Sequence, residues 1–117
     1  MDVDRGTREV ARRYFEAWTS RDTTTAASLL GDDFRFVAGD LRIEGRQAFL
    51  DAGAFPADAR TRLLAEAYEG EVGFQMYEAA RGDRVVRIIE QLTVREGSIV
   101  SSTFVTDMTA YQAFLAG

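Results

Sequence analysis

Residues 85–95 read VVRIIEQLTVR, and their alternation of polar and apolar side chains decides how this part of the chain folds. One face of the stretch consists of four apolar residues and one glutamate: Val86, Ile88, Glu90, Leu92 and Val94. Because successive side chains of a β-strand point to opposite faces, the pattern predicts a strand with Glu90 on its buried face. A buried carboxylate is costly unless it is paired, hydrogen-bonded or neutral. Glu90 therefore indicates either a ligand pocket or a structural carboxyl held by an arginine or a tyrosine hydroxyl.

The composition is typical of a soluble globular protein and predicts a single domain over residues 1–117. Hydrophobic residues make up 46% of the chain and charged residues 28%, so we expect a core of ordinary size. The net charge is −5 and no basic patch is present, which argues against a nucleic-acid partner. No apolar run is long enough to span a membrane and the polar start is unlike a secretory signal, so we expect a cytoplasmic protein.

The residue types that the sequence lacks exclude several kinds of chemistry. It contains no histidine, cysteine, lysine or asparagine, and every basic side chain is an arginine. Histidine-based triads, thiol nucleophiles, lysine Schiff bases and the common zinc sites are therefore impossible. Any catalysis must use carboxyl, hydroxyl or guanidinium groups or bound water, and we expect neither a metal nor a cofactor.

The first half of the chain predicts three helices and a hairpin. Apolar residues at spacings of three and four favour helices, and strict alternation favours strands. The predicted helices cover residues 4–18, 22–30 and 46–52, and the predicted hairpin strands cover 34–38 and 41–44. Gly31 is placed to end the second helix, and Gly39-Asp40 to form the hairpin turn.

The second half predicts a meander of strands followed by a helix. The strands cover residues 59–69, 72–80, 85–95 and 98–106, with glycine-containing turns between them. Asp107 is placed to cap a last helix that extends through Leu115.

Two faces of the meander carry polar side chains whose role the pattern leaves open. Regular alternation would place four residues of the first meander strand on one solvated face: Arg60, Arg62, Glu66 and Tyr68. On the next strand, Gln75 and Tyr77 share a face that could instead contribute to a dimer interface, where tyrosine is favoured.

Short motifs follow one another at characteristic spacings along nearly the whole chain. They are residues 13–18 (RYFEAW), Asp22, residues 31–34 (GDDF), 43–46 (IEGR) and 96–99 (EGSI), and Asp107. In their order and spacing they resemble the nuclear transport factor 2-like superfamily, which includes the ketosteroid isomerase and SnoaL-like families. The resemblance implies an α+β fold in which a curved antiparallel sheet wraps around helices as a cone-shaped, cystatin-like roll with an apolar pocket.

The resemblance to ketosteroid isomerase implies roles for individual residues. In that family a tyrosine of the first helix and a protonated aspartic acid of a meander strand form the oxyanion hole, and Tyr14 and Glu90 fall at the matching places. Burial raises the pKa of a carboxyl, so a neutral Glu90 could donate a hydrogen bond. The family's general base matches Ala38, with Asp40 two residues further on, and the SnoaL-like cyclase aspartate matches Phe104.

Two functions follow as alternatives. Residues expected to line the pocket, or simply to fill the core, are Trp18, Phe34, Phe36, Phe55, Ile88, Leu92 and Phe104. In the first alternative, Glu90, Tyr14 and Asp40 perform acid–base chemistry of isomerase, cyclase or hydratase/hydrolase type. The substrate is a small apolar molecule with a carbonyl or hydroxyl, such as a polyketide- or steroid-like compound. In the second, the chain is a non-catalytic ligand-binding or interaction module, which the substituted base position favours. The resemblance implies a homodimer in both cases.

Overall fold

The structure, a computed structural model, describes residues 3–53 and 55–117, and in these ranges it contains helices and strands in the predicted order. The helices are α1 (Val3–Thr19), α2 (Thr23–Leu29), α3 (Arg46–Asp51) and α4 (Met108–Ala116). The strands are β1 (Leu30–Ala38), β2 (Leu41–Glu44), β3 (Arg60–Glu69), β4 (Val72–Arg81), β5 (Arg84–Arg95) and β6 (Ser98–Val105). The predicted α+β fold is confirmed. No helix in the described ranges is long and apolar enough to cross a membrane.

The strands form one open sheet in the order β2-β1-β6-β5-β4-β3. The resemblance implied an antiparallel sheet, and the pairing is antiparallel except between β1 and β6, which run parallel. Hairpins dictate antiparallel pairing only between strands that are consecutive in sequence. β1 and β6 belong to separate hairpin systems and meet in the middle of the sheet, so no turn fixes their relative direction.

The cap residues behave as predicted, but the expected stop at Gly31 is wrong. The carboxylates of Asp22 and Asp107 accept hydrogen bonds from the backbone N–H groups of Thr25 and Ala110, both at 3.1 Å. This satisfies backbone donors that the first turn of each helix leaves free. The second helix nevertheless ends at Leu29, because Leu30 is already extended and pairs with Ile99 of β6.

β3 contains a bulge that changes which side chains point inward. Its register against β4 shifts between Leu63 and Ala65, so Leu64 is an extra residue on the β3 side. Arg62 therefore lies opposite Glu78, whereas Glu66 lies opposite the buried Gln75. The prediction that Arg60, Arg62, Glu66 and Tyr68 share one solvated face is wrong, because a bulge reverses the phase of every residue after it.

Helix α1 covers the inner face of the sheet. It buries Thr7, Ala11, Tyr14 and Ala17, which recur at spacings of three and four and so form one stripe. Across the sheet beneath it, cross-strand neighbours form an inner row: Glu66 of β3, Gln75 of β4, Glu90 of β5 and Phe104 of β6. This register brings polar groups of distant sequence position side by side under the helix.

We expect two glycine-to-alanine substitutions to have opposite effects on the free energy of unfolding. A Cβ atom at Gly6 of α1 would meet nothing within 4 Å, so Gly6→Ala should raise this free energy by about 0.5–1 kcal/mol through helix propensity. A Cβ atom at Gly73 of β4 would lie 2.7 Å from the Tyr68 ring, so Gly73→Ala should lower it by about 1–3 kcal/mol. Urea unfolding followed by Trp18 fluorescence measures both. A Gly73→Ala protein as stable as the parent would show that the ring does not pack on this glycine.

Candidate functional site

Glu90 lies on the inner face of β5 with 2% of its surface exposed, which confirms the burial predicted from the alternation. One carboxyl oxygen accepts a hydrogen bond from Ser102 Oγ of β6 at 2.5 Å, and the other from Tyr77 Oη of β4 at 3.4 Å. Within the described residues no arginine forms an ion pair with it. The carboxyl is therefore held by hydroxyl groups alone, without a cation to compensate its charge.

These surroundings favour the protonated form of Glu90 more than water does. Burial raises the pKa of its carboxyl from 4.5 to about 7, because the charged form loses its hydration, and the hydrogen bonds from Ser102 and Tyr77 oppose this only in part. Near neutral pH the neutral and ionised forms are both well populated. The group can then donate a proton in one form and accept one in the other.

Three phenols surround this carboxyl: Tyr14 of α1, Tyr77 of β4 and Tyr111 of α4. Burial raises the pKa of each of them, and the nearby charge of Glu90 raises it further. Tyr77 is fully buried and donates to Glu90, whereas the hydroxyls of Tyr14 and Tyr111 have no hydrogen-bond partner among the described residues. Two phenolic donors are therefore available beside a carboxyl of mixed protonation.

Aromatic rings extend from this group toward α4 and the segment before β3. The Trp18 ring packs edge-on against Tyr77 and Phe55, at centroid distances of 5.4 and 4.9 Å. The indole Nε1–H of Trp18 is buried without a partner among the described residues. On the other side, Phe104 packs against Phe36 at 4.9 Å. The site thus consists of a few polar groups set in an aromatic surface.

The structure brings together most of the residues predicted to line a pocket. Ile88 and Leu92 flank Glu90 on the same strand face, and Phe104 is its cross-strand neighbour. Phe34 does not belong to this group, because its fully buried ring packs on Phe49 of α3. We therefore assign Phe34 to the core.

Asp40 does not reach the site. It lies exposed in the turn between β1 and β2, where Gly39 adopts a φ of +59° and reverses the chain. The position that matches the family's base is Ala38, which is buried and pairs with Phe104. The inclusion of Asp40 among the catalytic residues is wrong, since the turn directs it to solvent.

Sequence reasoning missed four residues around Glu90: Gln75, Tyr77, Ser102 and Tyr111. The interpretation of Gln75 and Tyr77 as a dimer face is wrong, because both are fully buried within one chain. The small residues Gly73 and Ala79 alternate in phase with them and are also buried. A glycine inside a strand often marks the close approach of another group, so Gly73 is a signal in the sequence that this face is covered.

Two surface clefts lie elsewhere. One lies between α1 and β3 and is lined by residues that include Asp4, Arg8 and Tyr68. The other lies beside the connection from α1 to α2 and includes Arg13 and Asp22. Glu90 lines neither cleft. In residues 3–53 and 55–117, no three acidic side chains are grouped so that they could hold a metal ion.

We expect the free energy of unfolding to depend on pH through the protonation of Glu90. The folded pKa of about 7 exceeds the ordinary 4.5, so the folded state binds an extra proton between these values. The resulting stabilisation is complete below about pH 4.5 and is lost as the pH rises through about 7. Glu90→Gln removes this titration. From about pH 4.5 to about pH 8, its free energy of unfolding should therefore rise relative to that of the parent by about 2–3 kcal/mol.

Urea unfolding curves of Glu90→Gln and the parent, recorded at matched pH values, measure that difference. A difference that does not depend on pH would mean that Glu90 titrates as an ordinary exposed carboxyl.

Solved structures of other proteins share the fold of this chain. No protein-family model and no curated protein matches the chain. A candidate ketosteroid isomerase from Kribbella flavida DSM 17836 is 24% identical, with a TM-score of 0.84 over 89% of this chain and 79% of that one. A candidate SnoaL-like polyketide cyclase from Jannaschia sp. CCS1 is 14% identical, with a TM-score of 0.85 over 100% and 96%. An NTF2-like protein of unknown function from Mesorhizobium loti is 22% identical, with a TM-score of 0.80 over 92% and 95%. The chain has the nuclear transport factor 2-like fold.

Proposed function

We propose that this chain binds a small apolar molecule carrying a carbonyl or hydroxyl oxygen, and that Glu90 and Tyr14 contact that oxygen. The observation that carries the proposal is a fully enclosed carboxyl that has hydroxyl neighbours but no cationic partner in residues 3–53 and 55–117. A carboxyl retained only for structure is usually paired, because the unpaired charge is costly to bury. A ligand oxygen would accept hydrogen bonds from a neutral Glu90 and from the phenol of Tyr14, whose hydroxyl has no partner among the described residues.

The acid–base state of the site suits such an oxygen. Neutral Glu90 and the phenol of Tyr14 are both donors, and donors fixed before the substrate arrives stabilise negative charge that develops on an oxygen. In its ionised form Glu90 can accept a proton from carbon or from a hydroxyl group. The proposed chemistry is therefore a proton transfer of isomerase, cyclase or hydratase type, without a cofactor.

The likeness to a candidate ketosteroid isomerase and a candidate polyketide cyclase supports the ligand class through the fold only. One fold hosts many functions, so the residues of the site have to carry the assignment. Rings of Trp18, Phe55 and Phe104 offer contacts to a flat, apolar ring system.

A second candidate function is a binding module that performs no chemistry. Two residues favour it. Ala38 has no proton-accepting group where a base would be expected, and the ring of Phe104 lies next to it, packed against Phe36 and Tyr111. Turnover of a bound compound distinguishes the two functions, since both predict binding.

A thermal-shift screen of steroid ketones and aromatic polyketide-like phenols tests the proposed site. A compound at a hundred times its Kd should raise the free energy of unfolding by about 3 kcal/mol. We expect Glu90→Gln and Tyr14→Phe each to weaken binding at least about tenfold. Tyr14→Phe removes a donor to the ligand oxygen, and Glu90→Gln replaces the acidic O–H donor with a weaker amide N–H donor. Isothermal titration of the best compound gives the affinities.

Glu78→Gln is the matched control. Glu78 lies on the opposite face of the sheet, where it pairs with Arg62 and Arg87, so its replacement should leave the affinity unchanged. If Glu90→Gln and Tyr14→Phe fold and bind every compound as the parent does, the inner face is not the binding site.

We further propose that the chain forms a homodimer through the outer face of its sheet. Large apolar side chains are exposed there: Phe74, Val85, Ile89 and Val105. Met76, Ile89 and Val105 are cross-strand neighbours, so they form a continuous apolar row over three strands. Contiguous apolar patches of this kind are typical of interfaces, and one patch that contacts its own copy closes a two-fold dimer.

Ile89→Arg tests the dimer. A guanidinium in the middle of the apolar row should be incompatible with a two-fold contact, because two copies of the charge would meet there. We expect the parent to have twice the chain mass by light scattering at micromolar concentrations, and Ile89→Arg to be a folded monomer by circular dichroism. A parent that is monomeric under these conditions would contradict the proposal.

A further inference from the structure

A chain of hydrogen bonds leads from the surface of α1 to the interior beside Glu90. Arg12 donates from Nε to Glu66 Oε1 at 2.8 Å. Tyr68 Oη lies 2.8 Å from the same carboxyl oxygen, and Gln75 Nε2 lies 3.0 Å from Tyr68 Oη. The chain begins at an exposed guanidinium and ends at an amide with no exposed surface.

The direction of each hydrogen bond in this chain is determined. The hydrogen bond from Arg12 lowers the pKa of Glu66, and the hydrogen bond from Tyr68 lowers it further, so Glu66 is ionised and can only accept. The single proton of Tyr68 is therefore donated to Glu66, and the Tyr68 oxygen can only accept from the amide. The amide of Gln75 must present its NH2 group to Tyr68, which leaves its carbonyl oxygen facing the other way.

That carbonyl oxygen is buried and has no partner among the described residues. Gln75 and Glu90 are directly opposite in the pairing of β4 with β5 and are both fully enclosed on the inner face. Side chains in this relation lie next to each other. A buried carbonyl left without a donor is destabilising, so its surroundings have to supply one.

The donor to the Gln75 carbonyl can be sought among the groups that face Glu90 from the surrounding helices and strands. They are Tyr14 of α1, Gln75 and Tyr77 of β4, Ser102 and Phe104 of β6, and Tyr111 of α4. Tyr77 and Ser102 already donate to Glu90, and Phe104 has no donor. Neither Tyr14 nor Tyr111 forms a hydrogen bond with a described residue. Glu90 is the direct cross-strand neighbour of Gln75, and in its neutral form it carries a proton that it can donate to the carbonyl.

We propose that Gln75 is a positioning residue whose carbonyl oxygen accepts the hydrogen of the neutral Glu90 carboxyl, and that Arg12, Glu66 and Tyr68 hold the amide in the orientation this requires. The amide carbonyl favours the protonated acid, so charge at the surface helps to maintain a neutral acid in the interior. The inference deepens the proposed function, because it says how the acid of that site is kept protonated. It concerns the ligand-free protein and can be tested without a ligand.

Tyr68→Phe is the test. Without the hydroxyl, the amide of Gln75 is free to turn its NH2 group toward Glu90 and donate to the ionised form. A donated hydrogen bond stabilises a carboxylate, so the pKa of Glu90 should fall. At the parent's midpoint, the ratio of ionised to neutral Glu90 should rise about three- to tenfold. Carbon NMR of protein labelled in its glutamate carboxyls measures the titration, with Glu90→Gln identifying the signal.

A double-mutant cycle shows whether Tyr68 acts through the amide. In a Gln75→Leu background no amide can turn, so adding Tyr68→Phe should leave the Glu90 titration where Gln75→Leu alone puts it. Glu66→Gln is a second variant with the same expected direction. A neutral amide at position 66 can donate to Tyr68, which frees the phenolic proton to reverse the amide of Gln75.

Two results would overturn the inference: a Glu90 midpoint that neither Tyr68→Phe nor Glu66→Gln moves, or a shift of equal size with and without Gln75. The first would mean that the orientation of the Gln75 amide does not affect Glu90, and the second that Tyr68 acts on Glu90 by another route. Loss of ligand binding in Glu90→Gln together with an unmoved titration would reject only this inference and retain the proposed function. If Tyr68→Phe lowers the titration midpoint of Glu90 but no screened compound binds the parent, the proposed function is rejected and this inference is retained.

Discussion

The interior of this protein is organised by the enclosure of one carboxyl beneath a helix, where no cation from the described part of the chain balances its charge. Glu90 lies in β5, between β4 and β6, where α1 closes the inner face of the sheet. Solvation by water is replaced there by the hydroxyl groups of Ser102 and Tyr77, and the phenols of Tyr14 and Tyr111 lie nearby. Hydroxyl groups solvate a carboxylate less well than water does, so the ionised form of Glu90 is destabilised and the carboxyl is partly protonated.

Much of the fold could be predicted from local patterns, because local physics determines those parts. The alternation around Glu90 predicted its burial, and Asp22 and Asp107 predicted helix starts, since a strand's period and a cap's hydrogen bond depend on adjacent residues only. The parallel pairing of β1 with β6 could not be predicted in this way. It joins segments more than sixty residues apart, and no turn between them constrains their direction.

The candidate site was predicted as individual residues but not as an arrangement. Glu90 and Tyr14 were identified from burial and from the family likeness, and they are close enough for the charge of one to raise the pKa of the other. Tyr77 and Ser102, which actually hydrogen-bond to the carboxyl, were not identified. Their places depend on the register of three strands, and register is set by the whole sheet. The prediction for Asp40 was wrong because it extended the alternation of β1 beyond the end of the strand. The direction of a side chain in a turn is set by the turn itself and not by the strand before it.

The extra residue in β3 has a consequence at the border of the sheet. β3 is an edge strand, and the outer edge of a long, regular strand offers unpaired N–H and C=O groups to which a strand of another molecule can add. The bulge at Leu64 interrupts the even spacing of those groups halfway along the edge. One inserted residue thereby turns Glu66 toward the interior and also makes this border a poor template for polymerisation.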